Sequence, residues 1–277
     1  MSPAALSVTL GAAGAITIVA FAMALRSSRR ANTLAAAVSQ SRRELEHLER
    51  AFARFAPDGV VERIAGGATE IVPVRRVVTV LFADLVGFTR LSEQLDPAVM
   101  VTVLNGYFRA MSQAIAEQHG HVSRIMGDGL MALFGAFEDN PWQAADAVRA
   151  ALGMRAALVA YNAKLAERKL PELALGVGVH CGDVVAGVIG SSEMMEFTVL
   201  GDPVNIAARV EALTRTHAVD ILVTEDVRRR LDDRFVLRAM PPALVKGKSE
   251  PIGTFAVERL DETSAATQTQ PPEALPR

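Results

Sequence analysis

Residues 122–134 read Val-Ser-Arg-Ile-Met-Gly-Asp-Gly-Leu-Met-Ala-Leu-Phe, and this stretch decides the fold. Two short runs of mostly apolar residues, 122–126 and 130–134, flank Gly127-Asp128-Gly129. Such runs around an Asp-Gly pair are typical of a β-hairpin, because both residues accept the backbone angles of a tight turn. We therefore predict two adjacent antiparallel strands here.

Helices are predicted on both sides of this hairpin. Asp96-Pro97 supplies an N-cap and a first-turn proline for a helix to about His119, and Pro141 starts an alanine-rich helix to about Ala166. Further strands are predicted at 77–83, 173–180, 184–188 and 197–200, and another helix from about residue 205. Strands that alternate with helices, two of them joined by a hairpin, predict an α+β fold of the ferredoxin-like type, βαβ-βαβ, over residues 75–260.

The N-terminal segment is predicted to be a membrane helix. Residues 4–25 carry no charge, and about 20 apolar residues suffice to cross the hydrocarbon core. Arg26, Arg29 and Arg30 follow at once, which predicts a single-pass protein of the inner (plasma) membrane with its catalytic domain in the cytoplasm. The alternative is a cleaved signal peptide, which would carry its positive charge before the apolar run.

Residues 31–56 are predicted to form a cytoplasmic linker helix. Apolar side chains occupy the a and d positions of one heptad register, namely Leu34, Val38, Leu45, Leu48, Phe52 and Phe55. This seam is typical of a short parallel coiled coil that joins two copies of a chain. A single amphipathic helix packed on the catalytic domain is the alternative.

The composition excludes several classes of protein. The chain has 277 residues and a formal charge of −2 at pH 7, whereas general nucleic-acid binding needs a basic surface. Its one cysteine, Cys181, excludes an intrachain disulfide and a multi-cysteine zinc site. Residues 261–277, rich in small polar side chains and proline, are predicted to be a disordered tail.

Residues 82–89, Phe-Ala-Asp-Leu-Val-Gly-Phe-Thr, place Asp84 at the end of a predicted strand, before a glycine turn. A carboxylate at this edge of the sheet can hold a hard cation. The backbone amides from Leu85 to Thr89, with Gly87 and Phe88 between them, can donate to phosphate oxygens. Taken alone, this motif leaves a helix cap as the alternative role for Asp84.

Asp128 changes this interpretation, because its hairpin is expected to lie beside the first strand. Two adjacent carboxylates repel each other unless a cation lies between them. A triphosphate with one or two Mg²⁺ suits them, since Mg²⁺ takes few protein carboxylates and shares oxygens with phosphate. The alternative is an ordinary exposed turn, in which Asp-Gly serves only the backbone.

Residues 199–209, Val-Leu-Gly-Asp-Pro-Val-Asn-Ile-Ala-Ala-Arg, form a third motif. If a helix begins near Pro203, Asn205 and Arg209 are four residues apart and share one face. An amide and a guanidinium together suit a ribose oxygen and a phosphate that gains charge. An ordinary amphipathic helix with a surface arginine is the alternative.

These motifs together resemble the catalytic domain of class III adenylyl/guanylyl cyclases. The resemblance rests on residues 82–89, 123–134, 198–209 and 244–251, which occur in the family's order and at similar spacing. The resemblance covers roughly residues 75–260. Within this family, the chain is similar to the bacterial membrane-anchored adenylate cyclases. The Gly-Gly-(Asp/Glu)-Glu-Phe motif of diguanylate cyclases does not occur in the sequence.

The resemblance implies a head-to-tail homodimer with its active sites at the interface. One protomer would bind two Mg²⁺ or Mn²⁺ ions per site through Asp84, Leu85 and Asp128. The other would supply Asn205 and Arg209, which position the ribose and stabilise the transition state.

The implied reaction is attack of the ribose 3′-oxygen of ATP on the α-phosphate, with release of pyrophosphate. Lys246 or Lys248 is implied to reach the terminal phosphates, and Gly87, Phe88 and Thr89 belong to the implied substrate site.

Two residues bear on the choice of nucleotide. Where adenylyl cyclases commonly carry a purine-reading lysine, this chain has Arg124, and where many carry an aspartate it has Thr198. Arginine only donates hydrogen bonds, so Arg124 suits adenine N1, while the hydroxyl of Thr198 can accept from the exocyclic amine. We therefore predict ATP as substrate, with a guanylate cyclase or a catalytically weak or silent nucleotide-binding and dimerisation module as alternatives.

Overall fold

The structure is a computed structural model that describes residues 38–40, 42–43, 73–190, 195–242 and 251–261. The chain divides into two compact units, residues 1–65 and 66–277. The predicted membrane helix at 4–25 and the predicted tail beyond residue 261 lie outside the described residues. Nothing in the described part of the chain forms a helix long and apolar enough to cross a bilayer.

In the first unit, only five residues of the predicted coiled coil are described. Residues 38–40 and 42–43 are helical, and Arg43 Nε donates a hydrogen bond to the carbonyl oxygen of Ser39 at 3.2 Å. The rest of the 31–56 segment lies outside the described residues, so the coiled coil stays a prediction.

In the second unit, strands and helices alternate along the chain. The strands are β1 (Val74–Leu85), β2 (His121–Met126), β3 (Gly129–Phe134), β4 (Leu175–Gly190), β5 (Met195–Leu200), β6 (Ile221–Thr224), β7 (Phe235–Ala239) and β8 (Thr254–Leu260). The helices are α1 (Phe88–Ser92), α2 (Pro97–Ala116), α3 (Gln143–Glu167), α4 (Asp202–His217) and α5 (Glu225–Arg228).

The strands form one mixed sheet in the order β2-β3-β1-β4-β6-β8-β7, and β5 pairs with β4 beside this path. β1 is antiparallel to both β3 and β4, and β4 and β6 are parallel. Helix α2 connects β1 to β2, and α3 connects β3 to β4. The first four strands and their two helices therefore have the βαβ-βαβ order predicted from the sequence, within an α+β fold.

Local signals in the sequence explain where helix α2 begins. The carboxylate of Asp96 accepts hydrogen bonds from the amides of Ala98 (2.9 Å) and Val99 (3.4 Å), which have no acceptor within the helix. Pro97 occupies the first turn, where a missing amide hydrogen costs nothing. Helix α3 begins at Gln143, two residues after the predicted start at Pro141.

Helices cover both faces of the sheet. Leu81, Ala83 and Leu85 of β1 join the core formed with α2 and α3. Val78 and Val80 point to the opposite face, where α4 packs. Because side chains alternate along a strand, Asp84 falls on the face that α4 covers.

Helix α4 packs directly on three glycines of β4. A Cβ atom at Gly178 would collide with the backbone nitrogen of Glu211, so only glycine permits this approach. Gly182 lies against Pro203 near the start of α4, and Gly176 lies against Thr214 near its end. These contacts fix both the height and the direction of α4 over the strand.

Candidate active site

Asp84 ends strand β1 at the edge of the sheet. Its Oδ2 accepts a hydrogen bond of 2.5 Å from Nη2 of Arg215, and its side chain is 34% exposed. A Cβ at Gly129 would lie 2.9 Å from Oδ1 of Asp84, so the hairpin backbone comes very close to this carboxylate. Asp84 is therefore held between helix α4 and the start of β3.

Asp128 lies in the turn between β2 and β3, as predicted. Gly127 has a φ of 63°, which lies in the left-handed region that glycine favours. β3 pairs with β1 through Leu130 and Ala83, which brings the turn beside Asp84. Burial raises the pKa of Asp128, and the negative charge of Asp84 raises it further. The two carboxylates thus repel each other, as the sequence led us to expect.

Three further polar side chains surround this pair, and none was predicted from the sequence. Glu211 on α4 is buried, and burial, followed by the charges of Asp84 and Asp128, raises its pKa to about 7 against the opposing effect of Arg215. Arg215 Nη1 lies 3.3 Å from Oε1 of Glu211. The only signal in the sequence is the i, i+4 spacing of Glu211 and Arg215, which is that of a helical ion pair.

Tyr107 of α2 is the third of these residues. Its side chain is fully buried, and its hydroxyl has no hydrogen-bond partner among the described residues. Burial raises the pKa of this phenol, and the charges of Asp84, Asp128 and Glu211 raise it further. The phenol therefore stays protonated.

Asp84 and Asp128 suit a divalent cation whose remaining ligands come from a substrate. Asp84 and Asp128 offer hard carboxylate oxygens, which suit Mg²⁺ or Mn²⁺. The described residues contain no group of three or more His, Cys, Asp or Glu side chains that could hold a metal ion. Leu85 is buried and apolar, so only its backbone carbonyl could serve as a ligand. A cation here would need oxygens from water or phosphate to complete its coordination.

The turn after Asp84 leaves fewer free amides than the sequence suggested. The amide of Val86 donates to the carbonyl oxygen of Ala174 at 2.8 Å, so it is not free to bind phosphate. Gly87, with a φ of 72°, precedes helix α1. The amides of Phe88 and Thr89 lie in the first turn of this helix, where no intrahelical acceptor exists. The predicted phosphate contacts thus narrow to residues 87–89.

Along α4, Asn205 and Arg209 lie about 15 Å and about 9 Å before Arg215, the residue that contacts Asp84. The start of α4 lies over Gly182, whereas Asp84 pairs with Gly176, and these glycines are about 20 Å apart along β4. Around the helix, Asn205 and Arg209 point on the order of 120° away from Glu211 and Arg215. Neither makes a hydrogen bond or ion pair with a residue that the structure describes.

The two predicted base-reading residues lie on two strands that do not pair with each other in the sheet, β2 and β5. Arg124 is exposed on β2, and Thr198 is 8% exposed on β5. The hydroxyl of Ser123 donates to the carbonyl oxygen of Phe197 at 3.4 Å, which joins the residues that precede them. β2 and β5 thus approach each other at the residues next to Arg124 and Thr198. Lys246 and Lys248 lie outside the described residues, so their roles stay predictions.

Comparison with known proteins places this geometry among nucleotide cyclases. The family model for the adenylate and guanylate cyclase catalytic domain matches residues 73–259. An adenylate cyclase of Anabaena cylindrica is 35% identical over 238 residues, which cover 82% of this chain and 46% of that protein. The chain thus spans less than half the length of this relative.

Two solved structures share the fold. The crystal structure of the guanylyl cyclase Cya2 has a TM-score of 0.64 at 33% identity and covers 70% of this chain and 97% of that one. The adenylyl cyclase CyaB from P. aeruginosa has a TM-score of 0.64 at 27% identity, over 68% of this chain and 96% of that one.

Proposed function

Because the chain belongs to the adenylyl/guanylyl cyclase family, we propose that it is an adenylate cyclase. It would convert ATP to 3′,5′-cyclic AMP and pyrophosphate at the interface of a homodimer. The observation that carries this proposal is the separation of the two halves of the site. Asp84 and Asp128 lie together at one end of β1, while Asn205, in the first turn of α4, and Arg209, near its middle, project from a different side of this helix than Arg215, which contacts Asp84.

A second copy of the chain would complete each site. Asp84 and Asp128 would hold the divalent ions, Mg²⁺ or Mn²⁺ at two per site, whose charge favours loss of the 3′-hydroxyl proton and neutralises the phosphates. Asn205 of the other copy would hold the ribose, and its Arg209 would donate to the α-phosphate oxygens as charge develops. Residues 87–89 would receive the terminal phosphates on backbone amides.

The proposed step is an intramolecular displacement. The ribose O3′ forms a bond to the α-phosphorus, and the bond from that phosphorus to the bridging oxygen of the β-phosphate breaks. Pyrophosphate leaves with the electron pair, and the proton of the 3′-hydroxyl passes to solvent. The contribution of the protein is mainly to position the reacting atoms and to neutralise charge.

Arg124 and Thr198 support ATP rather than GTP. Arg124 can donate to adenine N1, and the Thr198 hydroxyl can accept from the exocyclic amine. Guanine would leave its ring N–H without an acceptor at Arg124. The relatives include both an adenylate cyclase and a guanylyl cyclase at similar identity, so this choice rests on the two side chains.

Product analysis tests this proposal. The purified full-length chain is incubated with Mn²⁺ and either ATP or GTP, and cyclic nucleotides are measured by mass spectrometry, with Asp84→Asn as the inactive control. We expect cyclic AMP to form at least about ten times faster than cyclic GMP. Faster formation of cyclic GMP would favour the guanylate cyclase alternative. If no product forms at a concentration where the chain is dimeric, the result would favour the alternative of a catalytically silent nucleotide-binding module.

The N-terminal segments complete the proposal. Residues 4–25 would anchor the chain in the inner membrane, with the catalytic domain in the cytoplasm, and residues 31–56 would pair two chains as a coiled coil. Membrane fractionation of the full chain and of a chain without residues 1–30 tests the anchor. If the full chain were found in the soluble fraction to the same extent as the shortened chain, the anchor would be contradicted.

A further inference from the structure

Arg215 connects the candidate metal site to helix α4. Its Nη2 donates to Oδ2 of Asp84 at 2.5 Å, and its Nη1 lies 3.3 Å from Oε1 of Glu211. Each contact is charge-assisted, which makes it stronger than a bond between neutral groups. Arg215 therefore uses one of the two carboxylate oxygens that Asp84 could offer to a cation.

The charges around Arg215 are unequal. Asp84 and Glu211 contact this arginine, and Asp128 acts on it from beside Asp84. Three acidic side chains thus surround one basic side chain. A divalent cation bound at Asp84 would lie beside the guanidinium of Arg215, and the two positive charges would repel each other.

Arg215 also has space into which it can withdraw. Its side chain is 38% exposed and lines an open groove with a volume of about 740 Å³. The other side of this groove carries the ion pair of Arg238 and Glu258, at 3.0 Å. Movement of Arg215 toward the groove would free Oδ2 of Asp84 without any change in the backbone of α4.

We propose that Arg215 competes with the divalent cation for Oδ2 of Asp84 and thereby sets the metal concentration at which the site fills. This inference rests on the proposed function, because it takes Asp84 as a metal ligand. Arg215 is a positioning residue: it acts on the cation through Asp84 and is not required to touch the nucleotide.

Binding of Mn²⁺ without nucleotide tests the proposal. Free Mn²⁺ is titrated into the full chain and followed by electron paramagnetic resonance for the wild type, Arg215→Met and Arg215→Lys. We expect Arg215→Met to bind Mn²⁺ about tenfold more tightly than the wild type, because a positive charge beside the ligand is lost. Arg215→Lys keeps the charge and should stay within about threefold of the wild type.

Arg238→Met is the matched control, since it removes an ion-paired arginine from the same groove without touching Asp84. It should bind Mn²⁺ like the wild type, and thermal unfolding shows whether each variant is folded. Unchanged, weaker or undetectable Mn²⁺ binding by Arg215→Met would overturn the proposal, as would equal gains in Arg215→Lys or Arg238→Met. This readout needs no turnover, so failure of the cyclase assay and failure of this test are distinguishable.

Discussion

Helix α4 has two polar faces that differ in their contacts. On one face, Arg215 contacts both Asp84 and Glu211 within the chain. The side chains of Asn205 and Arg209, on the other face, make no hydrogen bond or ion pair with the described residues. The first face therefore has its polar partners within the chain, whereas the second carries the amide and the guanidinium that the proposed function assigns to the substrate. On the proposed function, one helix thus contributes to two sites, that of its own chain and that of a second copy.

The largest expected effect comes from substituting, in separate variants, Asp84, which the first face contacts, and Arg209, which belongs to the second face. Asp84→Asn and Arg209→Ala should each lower turnover by about 10³-fold or more, since each removes charge stabilisation from the reacting phosphate. Mixing the two variants should restore about a quarter of the wild-type activity, because half of the dimers are hybrids and each hybrid has one intact site. Cyclic AMP production by the mixture measures this.

Hybrid dimers must be demonstrated by affinity tags on each variant. Arg209→Ala should keep its free energy of unfolding within about 0.5 kcal/mol of the wild type, as expected for a side chain with no polar partner among the described residues. No recovery of activity in verified hybrids would mean that both faces of α4 act in the same chain.

A smaller effect is expected from a substitution that disturbs the packing of α4 on the sheet. In Gly178→Ala the new methyl group meets the backbone of Glu211, which should lower the free energy of unfolding by about 3 kcal/mol. Both faces move together, so activity should fall as well. Thermal and chemical unfolding measure the loss.

Gly153→Ala provides the control for this substitution. This residue lies within α3, and its Cβ would meet only Ala114 at an ordinary 3.6 Å. The change should stabilise the chain by about 1 kcal/mol through helix propensity. Equal effects of the two substitutions would show that α4 does not depend on close packing at Gly178.

The smallest effect concerns Glu211, on the first face of α4, and the pH dependence of the free energy of unfolding. The pKa of Glu211 is raised from 4.5 to about 7, so the folded chain holds a proton that the unfolded chain has lost. This contribution to stability is full below about pH 4.5 and is lost as the pH rises through about 7. Glu211→Gln keeps an uncharged group. Between pH 5 and 8, its free energy of unfolding should therefore fall by about 1–2 kcal/mol less than that of the wild type.

Unfolding at several pH values in the presence of a chelator measures this difference. Glu258→Gln makes the same chemical change in the exposed ion pair with Arg238 and serves as the control for the substitution itself. Parallel curves for Glu211→Gln and the wild type would contradict the assignment of a proton to Glu211.

Local patterns in the sequence predicted the part of the fold that holds Asp84 and Asp128. The turn at Gly127–Gly129, the cap at Asp96 and the apolar runs beside them each act over a few residues, so they can be read without a structure. Together they placed Asp128 beside Asp84 correctly.

Other features depend on distant partners and were missed. No strand was predicted after Leu200, because β6 has only four residues and shows no periodicity of its own. The segments 173–180 and 184–188 were predicted as separate, yet they form the single strand β4, whose long pairing with β1 no local signal encodes. The contact of Arg215 with Asp84 joins residues 131 positions apart, so only the assembled fold reveals it.

The direct passage from β5 into α4 has a consequence for fidelity. Thr198, at the end of β5, and Arg209, in α4, belong to one continuous segment with a single linking residue, Gly201, between strand and helix. On the proposed function, a base that fits poorly at Thr198 would displace the arginine that meets the phosphate. Discrimination between purines would then be expressed in the rate of ring closure more than in affinity, so a wrong nucleotide would bind but rarely react.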